Sequence, residues 1–291
     1  MTEARLLVLS TATKIRIAQK LYSTLKAVRR PFGGIDQVTV RRQGLTWNLD
    51  LREGIDLTIY TVGAFERDTL KALRSRVREG DVVLDIGANV GAHTLHLARL
   101  VGPTGHVIAF EPTDFAVAKL KANLRSNPDL EKRVEVRQVF LGATSSEAPL
   151  AGLGSSWPVD GGVADDVKMG SRTMQTTGAT VTTLDEAVDR SGRSPIALIK
   201  MDVDGHELEV IEGAVRLLAR DRPTLVMELA PYVFHPTDKF DRMVRLLTDS
   251  GYGFRPLSSK RPLPTDPAAL RALIPREGSI NVVAFPLRQA E

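Results

Sequence analysis

A buried strand that runs straight into a carboxylate and two glycines constrains this chain more than any other feature. Residues Asp81 to Thr94 read DVVLDIGANVGAHT. Val82, Val83 and Leu84 form a continuous apolar run, as a parallel strand does when both its faces are covered. Asp85 ends the run, Gly87 and Gly91 follow, and Ala92, Thr94, Leu95, Leu97 and Ala98 take up helical spacing. The order is strand, glycine turn, helix. Such a turn lets a ligand come close to the backbone at a helix N-terminus.

The dinucleotide fingerprint G-x-G-x-x-G needs a glycine where this chain has Asn89, in the run Gly87-Ala88-Asn89-Val90-Gly91. Asp85 beside the loop is also expected to repel a pyrophosphate. A cationic ligand without phosphate suits the loop better, and S-adenosylmethionine (SAM) is such a ligand. A second buried run, Val107 to Phe110, ends in Glu111 and Pro112, with Glu111 twenty residues after Gly91. A carboxylate at that spacing is placed to accept hydrogen bonds from both hydroxyls of a ribose. NAD and SAM share that ribose, so Glu111 argues for a nucleoside and the glycine loop chooses which one.

At these residues the chain resembles a known family. VVLDIGANVGAHTLHLARLVGPTGHVIAFEP is similar to the SAM-binding half of the FkbM methyltransferases, and IKMDVDGHELEVIEGA is similar to that family's second hallmark. The resemblance runs from about Val38 to Phe285 and is weakest between Ser145 and Ala179. It implies an α/β, doubly wound Rossmann-like class I methyltransferase sheet of seven strands, the last antiparallel. It also implies SAM as cofactor and methylation at oxygen of a sugar, glycolipid or secondary-metabolite hydroxyl. The expected SAM contacts are Asp85, Gly87, Ala88, Asn89, Gly91, Thr94, Glu111 and Pro112, with Gln138 and Val139 near the adenine. Gly63-Ala64-Phe65-Glu66 resembles a further piece of the pattern, in which Glu66 either closes over the cofactor or is a plain solvated or capping carboxylate. The rival readings are a nicotinamide-dependent oxidoreductase and a non-catalytic SAM-fold scaffold.

Methyl transfer needs alignment and a group that takes the acceptor's proton. In a doubly wound sheet the ligand lies across the carboxyl ends of the strands, so those ends are where such groups belong. Strand four ends in Lys200-Met201-Asp202-Val203-Asp204-Gly205-His206-Glu207, and strand five ends at Glu228. Asp202, supported by Lys200, is read as the proton acceptor. The other reading makes Asp202 and Glu228 ligands of a divalent cation such as Mg²⁺; the fuller acid set is not evident from spacing, and metal-free chemistry is preferred. His206 is placed as a base, or else as a helix cap or satisfied neighbour. Glu207, Glu209 and Glu212 read as early helix residues favoured by the helix dipole.

Other classes lose support. No Ser-His-Asp signature occurs, and no Asn or Asp followed by Pro-Pro-aromatic stands after strand four, as base-modifying methyltransferases would have it. The chain has no cysteine, so it has no disulfide and no thiolate nucleophile or ligand. Its basic balance is local: residues 1–30 carry seven Lys or Arg and one acid, +6 against +4 for all 291 residues, which leaves the rest at −2. A nearly neutral body argues against a nucleic-acid partner. Leu6 to Leu9 is too short for a signal-peptide core and no stretch is long enough to span a bilayer, so a cytoplasmic location is expected.

Residues 1–34 read as a basic amphipathic helix through Ile17, Leu21, Leu25 and Val28. Docking on the body, contact with a second subunit in a homodimer, and peripheral contact with an anionic membrane are the readings it leaves open. Residues 35–80 are expected to hold a hairpin turning at Gln43-Gly44, a second element after Gly54 and a helix from about Arg67 to Arg78. Residues 81–291 form the methyltransferase domain, with strands near 81–86, 106–111, 134–140, 196–202, 223–229, 252–257 and 280–286. Thr113 is expected to cap a helix through Asn123, Thr183 with Glu186 to form a capping box, and Asp266-Pro267 to start a short helix. The glycine-rich stretch 145–179 is assigned to a variable acceptor loop, with Trp157 either stacking on the acceptor or anchoring the loop.

Overall fold

The computed structural model describes residues 11–146, 152–160, 171–234, 238–276 and 278–287. The Leu6 to Leu9 reading and Gly161, Gly162 and Gly170 of the acceptor loop lie outside the described residues.

The chain opens with α1 (Thr11–Arg29), the hairpin β1 (Gln37–Arg42) and β2 (Leu45–Asp50), then α2 (Gly54–Val62) and α3 (Arg67–Arg74). Alternating units follow: β3 (Val82–Ile86), α4 (Thr94–Leu100), β4 (His106–Phe110), α5 (Asp114–Arg125), α6 (Pro128–Glu131), β5 (Val134–Arg137) and β6 (Val139–Leu141). After β7 (Leu153–Ser156), β8 (Arg172–Met174) and β9 (Thr180–Thr182) come α7 (Leu184–Ser191), β10 (Ile196–Met201), α8 (Glu207–Glu212), α9 (Val215–Asp221) and β11 (Thr224–Leu229). The last elements are α10 (Asp238–Asp249), β12 (Tyr252–Pro256), α11 (Pro267–Leu273) and β13 (Ile280–Pro286).

Seven strands form one sheet in the order β12-β13-β11-β10-β3-β4-β5, with β13 antiparallel to both its neighbours and the central strands parallel. This is the doubly wound sheet with a reversed last strand that the sequence implies. Its two faces bury separate cores. Leu84, Ile86, Ile108 and Phe110 point to one, which α7 to α11 cover; Val83, Val107 and Ala109 point to the other, which the hairpin and α2 to α6 cover. The strand order reverses between β3 and β10, the switch point at which such sheets bind ligands.

The Gln43-Gly44 hairpin forms as expected, both turn residues having positive φ, which suits a two-residue hairpin loop. On β2, Leu45, Trp47 and Leu49 alternate inward, and Asn123 of α5 ties the hairpin to the glycine loop by accepting from Asn48 N and donating to Val90 O. The helix after Gly63 is shorter than expected, ending at Arg74.

Three local expectations change. The strand placed at 134–140 breaks at Gln138: β5 stays in the sheet, while β6 leaves it to pair in parallel with β9. Thr113 precedes α5 with an extended backbone but makes no cap; its hydroxyl donates to Glu111 instead. Only half of the capping box forms, because Thr183 accepts from Glu186 N while the Glu186 carboxylate takes Ser145, Thr182 and Arg190. Asp266 caps α11 as the sequence suggests.

Candidate active site

At the carboxyl ends of the central strands lies a cavity of about 580 Å³, within the 300–1,000 Å³ usual for small-molecule sites. The glycine loop forms one wall. Gly87 and Ala88 donate their amides to Phe110 O, which folds the loop over the end of β4. A Cβ on Gly87 would lie 1.9 Å from Asp202 O, so only glycine lets β3 and β10 meet there. Asn89 takes the left-handed region at φ 47°, which Asn tolerates, and its own Oδ1 accepts from Val90 N.

Glu111 is buried against this loop. Its Oε1 accepts from the Thr113 amide and hydroxyl, and its Oε2 accepts from Asn89 N. A carboxylate offers about four lone pairs, so three are engaged and the fourth is left for a ribose hydroxyl. Burial pushes the Glu111 carboxyl up, against those three hydrogen bonds.

Behind the loop sits a charged pair. Asp85 is fully buried, accepts from the Thr94 hydroxyl at 2.6 Å and lies 3.5 Å from Lys200 Nζ. Lys200 also donates to Gly87 O at 3.1 Å and stands 3.9 Å from Asp202. Burial alone would depress Lys200, but Asp85, Asp202 and Glu66 outweigh it and hold the ammonium above its usual pKa. Lys200 is therefore a cation and not a base. Asp85 and Thr94 do not line the cavity and neither do Gly91 and Gln138, contrary to their expected contact role. Gly91 is hemmed in by Leu120 and Leu95, and the Gln138 side chain donates to Asp114 and Pro112 O. Because Lys200 offsets Asp85, the argument that Asp85 repels pyrophosphate also weakens.

Across the cavity, ligand atoms of Asp202, Asp204 and Glu228 lie within 4.8 Å of one another; strand alternation puts Asp204 on the side of Lys200 and Asp202, though it is not among the expected site residues. Glu228 accepts from Ser279, and burial followed by the charge of Asp202 pushes its carboxyl up to about 8. Asp204 reaches solvent at the mouth, yet crowding by protein and by Asp202, Glu228 and Glu207 pushes it up well above the usual range. Glu207 is more than a first-turn carboxylate: it accepts from Val203 N and Gly205 N and so holds the turn after β10. Burial raises it to about 7.

The remaining walls come from outside the parallel core. His206 makes no side-chain cap and packs its ring edge-on to Phe140 at 5.0 Å, with burial lowering its pKa. Glu66 accepts from Thr69 and stands 3.8 Å from His93 Nε2. His93 is buried and neutral, pushed well down by burial and by Lys200. Of the loop 145–179, residues 153–159 seal one side: Trp157 bonds through its backbone to Glu53 and Gly54, the anchoring role expected for it, and the residue lines the cavity. Ser155 O accepts from Asn89 Nδ2, and its buried hydroxyl has no hydrogen-bond partner. Sequence reasoning missed Ser155 and Ser279, whose own residues carry no motif, and His93, which stands inside the glycine-loop motif between the singled-out Gly91 and Thr94.

A methyltransferase FkbM domain model matches residues 85–256. The hexuronic acid methyltransferase AglP of Haloferax volcanii is 30% identical over 154 residues, covering 53% of this chain and 58% of that protein. The 31-O-demethyl-FK506 methyltransferase FkbM of Streptomyces tacrolimicus is 31% identical over 215 residues, covering 64% of this chain and 77% of that protein. Among solved structures, the methyltransferase FkbM from Methylobacillus flagellatus superposes with a TM-score of 0.45 at 15% identity, over 81% of this chain and 61% of that one.

Proposed function

The chain belongs to the FkbM methyltransferase family, and we propose that it moves a methyl group from SAM to a hydroxyl of a sugar, glycolipid or secondary metabolite. The observation that carries this reading is that the glycine loop with Glu111 and the Asp202-Glu228 carboxylates open into one cavity. By their names, one related enzyme acts on a hexuronic acid, which supports a sugar acceptor, and the other on 31-O-demethyl-FK506, which supports methylation at oxygen.

The residues present fit SAM: one lone pair of Glu111 remains for a ribose hydroxyl, Val139 borders the space beyond it, and the Ser155 hydroxyl is buried and unpaired. SAM supplies, when bound, a methyl carbon activated by its sulfonium. Glu111 would orient the ribose, and the backbone at Gly87 to Asn89 would shape the nucleoside's bed. Asp202 would accept the proton of the acceptor hydroxyl, with the Lys200 ammonium 3.9 Å away. Glu228 and Asp204 would receive hydrogen bonds from neighbouring acceptor hydroxyls, and Trp157, which lines the cavity, would stack on a sugar. Incubation of glycan, lipid and metabolite extracts with isotopically labelled SAM tests the assignment by mass spectrometry. Label chiefly in RNA overturns it.

Glu111→Ala should weaken SAM binding by about 1.5–3 kcal/mol, the loss expected when hydrogen bonds to a charged group are removed. Calorimetric titration reads this directly, and tight NAD binding without SAM binding would refute the cofactor assignment.

Glu228→Gln tests the strained carboxyl pair through stability. Its pKa is about 4.5 unfolded and about 8 folded, so the folded state holds the extra proton between those values. Stability from this group is therefore fully present below about 4.5 and is lost as pH rises through 8. The variant should melt higher than the parent at pH 9 and close to it at pH 5. Equal offsets at both would contradict the raised pKa.

The closeness of Asp202, Asp204 and Glu228 favours one second reading, in which these oxygens hold a divalent cation. Activity abolished by EDTA and restored by Mg²⁺ would move the three acids from proton transfer to metal binding.

A further inference from the structure

Helix α1 turns one face to the body and leaves another uncovered. Tyr22 is buried and Ala18 and Leu25 pack against the core, while Ile17, Leu21 and Val28 stand 53%, 41% and 61% exposed. Spacings of four and seven put these three on one ridge. Just past the helix, Phe32 and Ile35 are 87% and 68% exposed. Five of the nine exposed large hydrophobics among the described residues thus fall within nineteen residues of chain.

Beside the ridge lies charge of one sign. Arg16 and Lys20 are exposed, at positions that place them along the ridge's flank away from the body, and Lys26 and Arg30 are exposed as well. α1 has no acid in its first turn, and residues 1–30 carry +6 while the rest of the chain carries −2.

We propose that this outer face of α1, continued by Phe32 and Ile35, docks on an anionic lipid bilayer. The apolar ridge supplies side chains for the headgroup boundary, and the basic flank supplies attraction to acidic headgroups. A second copy fits less well: a two-fold contact would set the same basic flank against itself, and the body's net −2 is spread over 261 residues, too little to offset a segment of +6. No described helix is long and apolar enough to cross a membrane, so the contact is peripheral. Ile15 and Ala18, on the inner side of α1, line the cavity, so the docking ridge and one cavity wall belong to a single helix.

The test is co-sedimentation of the full chain with phosphatidylcholine vesicles, with and without phosphatidylglycerol. Binding should require phosphatidylglycerol, fall as NaCl is raised, and drop on the order of tenfold in Arg16→Gln/Lys20→Gln, at a few-fold per basic residue. Ile17→Ser/Val28→Ser/Phe32→Ser should abolish it while circular dichroism and SAM titration stay parental. Equal sedimentation with both vesicle types overturns the proposal. So does a parent that light scattering shows to be a dimer and the triple variant to be a monomer, which would assign the ridge to a second copy.

Discussion

Asp202→Asn is expected to cut turnover by about 10²- to 10⁴-fold, the range for loss of a positioned proton acceptor, while SAM affinity changes little. The substitution keeps the side chain's size and removes its charge. It should also leave stability nearly unchanged, since the turn after β10 is held by Glu207 accepting from Val203 N and Gly205 N, and Asp202 meets β3 through its backbone amide to Ile86 O. A purely turn-ordering role for Asp202 is thereby disfavoured on geometry. A second readout follows from the charges: Asp202 helps to raise Glu228, so in the variant Glu228 should titrate lower and residual activity should shift to lower pH. Measured kcat, KM and melting temperature across pH separate these effects. Near-parental turnover would sink the assignment and pass the role to Glu228, His206 or Glu66.

The sheet was legible because its signals are local and redundant. Each parallel strand is an apolar run bounded by a carboxylate or a turn, and each following helix shows its own period. The glycine loop and Glu111 were legible for the same reason, as strand ends with fixed spacing. That Asp85 and Thr94 stand behind the cavity wall was not, because sequence marks a residue as near a loop without saying on which side of it. Only the fold shows Lys200 arriving from a strand more than a hundred residues later to engage Asp85. Gln138 illustrates the limit of period-two reasoning: the segment Val134 to Phe140, with Val134, Val136, Val139 and Phe140 as its apolar residues, reads as one strand, yet β6 pairs with β9, which a single sequence does not announce. Asp204 joined the acid cluster through a left-handed backbone at φ 50° followed by Gly205, a turn whose geometry is fixed by Glu207 from inside the fold. Ser155 and Trp157 reached the cavity through bonds to Asn89 and Glu53, contacts that carry no local signature.

Lys200→Met should destabilise the protein by roughly 3–5 kcal/mol, the cost of leaving one member of a buried ion pair alone. Lys200 and Asp85 have side chains 5% and 0% exposed and lie 3.5 Å apart. Methionine fills most of the space but leaves Asp85 with the Thr94 hydroxyl and no cation, and leaves Gly87 O without the Lys200 bond. Against a typical total of 5–15 kcal/mol the folded state survives in part, so urea unfolding measures the loss. Two further results identify its source. Asp85→Asn added to Lys200→Met should recover much of the stability, because the uncompensated charge is gone, and the two substitutions should be strongly non-additive. In Lys200→Met alone the cost is that of a buried carboxylate charge without its counter-charge, and acid removes that charge. The deficit should therefore be full near neutral pH and shrink as pH falls. A loss under about 1 kcal/mol, or one that the Asp85 substitution leaves unchanged, would mean that Lys200 does not act as the counter-charge. Its remaining office would be the bond to Gly87 O at the floor of the cavity.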